Sequence, residues 1–195
     1  IDWNLVKRSG VDFAMIRIGY RGYGAAGNFK EDDYFKQNIK EAKAAGLKVG
    51  VYFVTQAITT EEAIEEANWV MNKLDEAGFA GNLDFPIALD SEFSTAPNHT
   101  GRADNLDVQT RTSLCKTFLE IIEENGYTPM LYASTSWLNT KLDMSQLNDY
   151  NIWLAQYADK PTYTGHYEIW QYTSTGSILG IEGYVDLNVG YIKFA

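Results

Sequence analysis

Two carboxylic acids stand at the end of a short apolar segment, and their spacing predicts acid–base chemistry. The segment runs from Pro86 to Phe93 with the sequence PIALDSEF. Because side chains alternate along a strand, Asp90 and Glu92 point to the same face. Two residues advance a strand by about 6.6 Å, so each carboxylate can raise the pKa of the other. We expect the pair to share a proton inside the protein; the alternative is an exposed strand end with solvated acids.

A second segment near the C-terminus repeats this pattern. Tyr184 to Val189 reads YVDLNV, which places Asp186 and Asn188 on one face and the apolar residues on the other. If this is the last strand of a barrel, Asp186 enters the same cavity as the first pair. An Asp in a strand is equally consistent with a structural hydrogen bond. The assignment of Asp186 to the site therefore depends on its entering the same cavity as Asp90 and Glu92.

Three other kinds of site fit the sequence poorly. Gly22 to Gly27 matches the G-x-G-x-x-G pattern of a dinucleotide loop, but the helix expected after it starts with three acids that would repel a pyrophosphate. We interpret it as a loop at the rim of the fold. His99 and His166 have no His or Cys at ligand spacing and are interpreted as surface residues, with a metal site of oxygen ligands left as an alternative. The G-x-S-x-G elbow of a serine hydrolase is missing. We therefore expect no cofactor and no metal.

The elements that hold the acidic segments alternate between strands and helices. Apolar runs bounded by turn residues predict seven strands, at 13–19, 47–54, 86–92, 129–133, 151–157, 168–172 and 184–189. A short helix is predicted at 2–9, and longer helices begin near Thr59 and Asp107 or end at Gly46, Gly78 and Gly126. Strands separated by helices predict a parallel sheet with right-handed crossovers.

The strand count and the position of the acids both suggest a barrel. Seven strands are one fewer than a closed eight-stranded barrel, and the missing strand should precede the first helix. Asp90 and Glu92 fall at the carboxyl end of their strand, where barrel enzymes hold their active sites. Ile87 and Leu89 would pack against the surrounding helices, so the acids face the interior.

Composition excludes several functional classes. The chain has 195 residues with 16 Lys and Arg against 26 Asp and Glu, a net charge of −10, which opposes binding to nucleic acid or anionic lipid. No segment approaches the roughly 18 apolar residues of a membrane span. The single cysteine, Cys115, excludes an intramolecular disulfide and a thiolate zinc cluster, and we expect it in the core. We expect one domain over residues 1–195, present as a monomer.

Together these motifs resemble glycoside hydrolase family 25, the lysozymes first known from fungi and phages. The resemblance is carried, in order along the chain, by Asp2-Trp3, 13–20 (FAMIRIGY), 33–38 (DYFKQN), 45–52 (AGLKVGVY), 86–92 (PIALDSE), 153–157 (WLAQY), 169–172 (IWQY) and 185–188 (VDLN). It implies an α/β fold, an irregular TIM-like barrel of the (β/α)5(β)3 type with parallel strands and outer helices. It also implies an N-acetylmuramidase that cleaves the β-1,4 bond between N-acetylmuramic acid and N-acetylglucosamine in bacterial peptidoglycan.

The resemblance assigns roles to individual residues. Glu92 matches the general acid/base, Asp90 its partner and Asp186 the acid of the last strand, while Tyr52, Tyr132 and Tyr157 would line the sugar site. The implied mechanism is retaining and substrate-assisted, with the 2-acetamido oxygen as nucleophile; the spacing of the acids alone does not decide the stereochemistry. The alternatives are a peptidoglycan-binding module without activity and a chitinase-like hydrolase. The implied location is secreted or extracellular, at the bacterial wall, with a phage endolysin as one form.

The chain departs from the family pattern in one respect. The family normally begins with a strand reading roughly G-I-D-V-S, whose Asp also enters the active site, before the helix that starts Asp-Trp. Here Asp2-Trp3 stands at the very start of the sequence. We expect the first strand to precede residue 1, because an open barrel would expose two sheet edges.

Overall fold

Eight strands form one mixed sheet that curls into a half-barrel, with helices packed against its outer face. The computed structural model describes residues 1–191. The strands are β1 (Phe13–Arg21), β2 (Phe29–Glu31), β3 (Lys48–Val54), β4 (Ile87–Asp90), β5 (Pro129–Ser134), β6 (Asn151–Ala155), β7 (Ile169–Gly176) and β8 (Val185–Gly190). The helices are α1 (Trp3–Arg8), α2 (Phe35–Ala44), α3 (Thr60–Glu76), α4 (Val108–Glu124) and α5 (Thr135–Thr140). The prediction of an irregular TIM-like α/β fold is confirmed.

The strand directions differ from the prediction at the two ends of the sheet. The order is β2-β1-β3-β4-β5-β6-β7-β8, and pairing is parallel from β1 to β7. Both β2 and β8 run antiparallel to their neighbours. Short loops join them to the preceding strands, and a short loop can connect only antiparallel strands, whereas a parallel pair needs a long crossover. The strand β2 was not predicted because its three residues, FKE, are too few to show a period.

The sheet is open between β1 and β8. Within residues 1–191, β8 pairs with β7 alone and β1 pairs with β2 and β3. Phe13 and Met15 of β1 are only half-buried, although they pack against the interior of the half-barrel. The additional strand expected before residue 1 remains a prediction.

The side chains of β4 point alternately into the two layers of the core. Ile87 and Leu89 belong to the outer cluster with residues of α3 and α4, while Ala88 belongs to the inner cluster inside the half-barrel. All four residues of β4 are buried. This alternation carries Asp90 to the inner face, as the sequence predicts. Cys115 is buried in the outer cluster, which confirms its placement in the core.

The helix ends follow the predicted signals. Thr59 accepts from the Glu62 amide at 3.3 Å, and the Glu62 carboxylate accepts from the Ile58 amide at 2.8 Å, one residue earlier than in a standard capping box. The glycines that end α2, α3 and α4 have φ of 82°, 78° and 81°, a region where residues with a Cβ are strained. These glycines are Gly46, Gly78 and Gly126.

Asp107 caps the helix that leads out of the loop after β4. Its carboxylate accepts from the Thr110 amide at 2.9 Å. We expect Asp107→Ala to lower the free energy of unfolding by about 1 kcal/mol, because an amide of the first turn loses its acceptor. Urea denaturation measures the change, and Asp107→Asn, which keeps an acceptor, serves as the control. Equal stabilities for the Ala variant and the wild type would contradict the capping role.

A buried ion cluster ties the rim loops to α3. Arg21, at the end of β1, is 5% exposed and donates to Glu66 at 2.9 Å. Glu66 also accepts from Thr55 at 2.6 Å, and burial raises its pKa to about 7. Arg102 donates to Glu62 at 2.6 Å, and its guanidinium occupies the space that a side chain at Gly27 would need. The Gly22–Gly27 segment is therefore a rim loop bound to the loop after β4.

Candidate active site

The acid pair stands where β4 ends in the middle of the sheet. Asp90 lies in register with Val54 of β3 and Tyr132 of β5. After it, the Ser91 amide donates to the Tyr132 carbonyl at 3.1 Å, and the Ser91 hydroxyl accepts from the Trp137 indole on the outer side. Since Ser91 points outward, Asp90 and Glu92 on either side of it point inward.

All six residues predicted for the site line one cavity of about 1170 Å³. They are Tyr52, Asp90, Glu92, Tyr132, Tyr157 and Asp186. They come from five separate parts of the chain and meet at the carboxyl end of the sheet, the end that holds active sites in barrels. The structure thus brings the predicted residues together, and their individual roles remain predictions.

The three acids differ in exposure. Asp90 is 5% exposed, whereas Glu92 and Asp186 are exposed to the cavity. The Asp90 atom Oδ1 is buried without a hydrogen-bond partner among residues 1–191. A buried carboxylate without donors is costly, so the surroundings of this atom favour the protonated form of Asp90.

The surroundings raise the pKa of each acid. For Asp90, burial raises the pKa well above its ordinary value, the charge of Glu92 adds to this, and the Arg17 guanidinium opposes it. For Glu92, burial raises the pKa and the charge of Asp186 raises it further. Burial also raises the pKa of Asp186. Two carboxyl groups that interact in this way titrate as a pair, and such a pair can hold a proton at a pH where free carboxyl groups have lost theirs.

Gln171 joins two of the tyrosines and was not predicted as a site residue. The hydroxyls of Tyr132 and Tyr157 both donate to Gln171 Oε1, at 2.9 Å each. Gln171 is 3% exposed and lines the cavity. The strand alternation could have found it, because Ile169, two residues earlier, belongs to the inner cluster. A buried glutamine on the inner face therefore fixes two hydroxyl groups beside the acids.

Trp153 lines the cavity and donates a hydrogen bond to Asn188. Its indole donates to Asn188 Oδ1 at 2.8 Å, which fixes the amide on the same strand as Asp186. Tyr132 and Tyr52 meet the Trp153 ring edge-on, with centroids 4.7 and 5.8 Å away. The cavity combines flat aromatic surfaces with fixed polar groups, as pockets for small polar ligands do.

The other candidate motifs do not line this cavity in the part of the chain that the structure describes. The Gly22–Gly27 loop is followed by β2 instead of a helix, so no helix N-terminus faces it. Over residues 1–191 there is no group of three or more His, Cys, Asp or Glu arranged to hold a metal ion. His99 and His166 are exposed, and His99 stacks on Phe93 with centroids 3.9 Å apart. No helix in the described part of the chain is long and apolar enough to cross a membrane.

Known proteins are similar to this chain in fold and in sequence. The model of glycosyl hydrolases family 25 matches residues 1–181. An autolytic lysozyme of Clostridium acetobutylicum is 27% identical over 189 residues, which are 96% of this chain and 51% of that protein. The modular autolysin LytC from Streptococcus pneumoniae, solved with a synthetic peptidoglycan ligand, is 30% identical with a TM-score of 0.82 over 97% of this chain and 43% of that chain. The CTP1L endolysin is 27% identical with a TM-score of 0.76 over 97% of this chain and 62% of that chain.

The family match covers most of the site and ends before Asp186. The matched residues 1–181 include β4 with the acid pair and the tyrosines of β3, β5 and the segment after β6. The chain spans only about half the length of the autolytic lysozyme, 51%. On the match over most of its residues, the chain belongs to glycosyl hydrolases family 25, a family of glycoside hydrolases.

Proposed function

We propose that the chain is a lysozyme that cleaves the β-1,4 bond between N-acetylmuramic acid and N-acetylglucosamine in bacterial peptidoglycan. The observation that carries the proposal is the acid pair Asp90 and Glu92 on the inner wall of one cavity, with Asp186 lining the same cavity. The family and the lysozymes and autolysins similar to this chain support the peptidoglycan substrate. The choice of bond rests on the family resemblance.

Glu92 is the proposed general acid. It is the member of the pair that is exposed to the cavity. The partial burial of its carboxyl group and the charge of Asp186 raise its pKa, so it holds its proton to a higher pH than a free glutamic acid does. In the first step the Glu92 proton passes to the glycosidic oxygen. The bond from the anomeric carbon to that oxygen breaks, and its electron pair stays on the leaving sugar.

The substrate's own 2-acetamido group is the proposed nucleophile. Its carbonyl oxygen bonds to the anomeric carbon, and the acetamide N–H points to a carboxylate that accepts it. Asp90 suits this role because it lines the cavity together with Glu92. In the second step water attacks the anomeric carbon, the bond to the acetamido oxygen breaks, and Glu92 takes a proton from the water. The configuration is then retained.

The tyrosines and Trp153 are the proposed sugar-binding surface. Tyr132 and Tyr157 present hydroxyl groups fixed by Gln171, and Tyr157 is 57% exposed at the mouth of the cavity. Fixed hydroxyl groups discriminate between hydrogen-bonding ligands at little entropic cost. Asp186, on the facing strand, would stabilise positive charge that develops on the sugar ring.

The proposed partner is the glycan strand, bound by a single copy of the chain. Autolysins and an endolysin are similar to this chain, which supports action at the bacterial wall after secretion or release. A net charge of −10 repels anionic wall polymers, so recognition depends on the sugars.

Digestion of purified peptidoglycan tests the proposal against its rivals. We expect new reducing ends from peptidoglycan and, at equal enzyme concentration, slower release from chitin oligomers. Faster cleavage of chitin oligomers would favour a chitinase-like hydrolase. Binding to peptidoglycan without new reducing ends would show a binding module and contradict the proposal.

A further inference from the structure

Glu92 lies just beyond the hydrogen-bonded part of β4, so its position depends on the residues that flank it. The Ser91 amide still donates to the Tyr132 carbonyl of β5, at 3.1 Å. Among residues 1–191, the amides of Glu92 and Phe93 have no backbone hydrogen-bond partner. The next amide with a partner is that of Ser94, which donates at 2.8 Å to a carboxylate of the following loop. Two residues, the first of them the proposed acid, therefore lie between one fixed amide and the next.

A buried indole, that of Trp137, contacts the residues on both sides of Glu92. Its Nε1 donates to the Ser91 hydroxyl at 3.1 Å. Its ring meets the ring of Phe93 edge-on, with centroids 4.6 Å apart and planes at 82°. Trp137 is 4% exposed and Ser91 only 1%, so water does not compete for their hydrogen bond. Since both flanking side chains contact this ring on the outer side of the sheet, the side chain between them is directed into the cavity, which it lines.

The position of Trp137 is itself fixed by two helices. The helix α5, which contains it, follows β5 directly, and the Trp137 amide donates to the Ser134 hydroxyl that caps this helix, at 3.2 Å. From α4, the Arg111 guanidinium lies over the indole ring, 4.6 Å from its centroid. The same guanidinium donates to the carbonyls of Ala103 and Asp104 in the loop after β4, at 2.9 and 3.1 Å. The indole is therefore a fixed support beneath the end of β4.

A general acid needs such a support because proton transfer depends on position. The donor atom must come within about 2.6–3.2 Å of the oxygen that it protonates. A displacement of about 1 Å, caused by a change away from the reacting atoms, can cost about 100-fold in rate. Trp137 does not line the cavity, so its effect on the reaction would pass through Glu92 and not through contact with the substrate.

We propose that Trp137 is a positioning residue: by binding Ser91 and Phe93 on the outer side of the sheet, it holds Glu92 where its proton reaches the glycosidic oxygen. This inference rests on the proposed function, in which Glu92 is the general acid. Without the support, the two-residue segment between the fixed amides would sample several positions, and few of them would allow proton transfer.

Kinetics and backbone NMR of two variants test the inference together. Trp137→Phe removes the indole N–H that binds Ser91, and Phe93→Leu removes the edge-on ring contact. For each variant, below its melting temperature, we expect kcat to fall by about 10- to 100-fold with KM unchanged. The 15N order parameter of the Glu92 amide should fall from about 0.85, typical of a rigid backbone, toward about 0.6. Phe93→Tyr, which keeps the ring, should restore most of both values.

The matched control is Trp69→Phe. Trp69 lies on α3 outside the cavity, and its ring likewise packs against two phenylalanines, Phe29 and Phe53, with centroids 5.2 and 5.5 Å away. The Lys73 ammonium lies 5.7 Å from its centroid. This substitution should lower the melting temperature and leave kcat and the Glu92 order parameter at their wild-type values.

The outcomes separate this inference from the proposed function. If Trp137→Phe and Phe93→Leu lowered kcat no more than Trp69→Phe does, or left the Glu92 order parameter unmoved, Trp137 would be a structural residue only. The inference would then be overturned, while the lysozyme proposal would stand. If the wild type cleaved no peptidoglycan, the proposed function would fail, and the order parameters would still show whether Trp137 holds Glu92 in place.

Discussion

We expect Glu92→Gln to remove nearly all peptidoglycan hydrolysis and to leave the fold intact. The amide keeps the shape of the side chain but cannot donate an acidic proton to the glycosidic oxygen. General acid catalysis contributes about 10²- to 10⁴-fold, so we expect kcat to fall by that factor. Because Glu92 is exposed to the cavity, the substitution leaves no unpaired group in the core. Release of reducing ends from purified peptidoglycan measures the loss, and the circular dichroism spectrum reports the fold.

The matched control for this substitution is Glu123→Gln. Glu123 is an exposed glutamate near the end of α4 and does not line the cavity. It should retain wild-type activity, which shows that loss of one negative charge is harmless elsewhere. If Glu92→Gln released reducing ends as fast as Glu123→Gln, Glu92 would not be the acid.

We expect Asp90→Asn to lower activity and, at neutral pH, to raise stability. The activity falls because an amide cannot serve as the anionic acceptor for the acetamide N–H. The stability rises because burial, with Glu92, raises the folded-state pKa of Asp90 above its value in the unfolded chain. A carboxyl group with a raised folded pKa contributes its full stability below the unfolded pKa, about 4, and loses it as the pH rises through the folded pKa. Asparagine stays neutral and avoids this loss.

Thermal unfolding of wild type and Asp90→Asn at several pH values measures the effect. The two melting temperatures should agree near pH 3, where Asp90 is protonated in both states, and diverge in favour of the variant toward pH 7. This trade of stability for activity is common where a site holds buried charge. A variant that is less stable than the wild type at pH 7, or a difference that does not depend on pH, would show that the ionised Asp90 is not strained by its burial.

Strand alternation explains why much of the site could be predicted from the sequence. Asp90 and Glu92 follow a run of apolar residues, so the face that they share is set by the face that Ile87 and Leu89 bury. The same rule placed Asp186 and Asn188 on one face, and the structure puts both on the cavity wall. The caps and glycines that bound the helices are also local signals, which is why they were predicted near their observed positions.

Other features depend on contacts between distant segments and left no local signal. β2 is a strand because it pairs with the last residues of β1, not because its three residues favour an extended form. Gln171 became part of the site through Tyr132, which is 39 residues away. Arg17 and Asp32 meet because β2 folds back along β1, and the antiparallel hairpin itself was not predicted. Such pairings follow from tertiary structure, and one sequence does not reveal them.

The identity of the new reducing end tests the central claim most directly. Peptidoglycan digested by the wild-type protein is reduced with borohydride, and the products are analysed by mass spectrometry, with a parallel digest by Glu92→Gln. We predict that the wild type produces fragments that end in reduced N-acetylmuramic acid and that the Glu92→Gln digest contains almost none. Fragments that end in reduced N-acetylglucosamine, or equal amounts of product from the variant, would contradict the account.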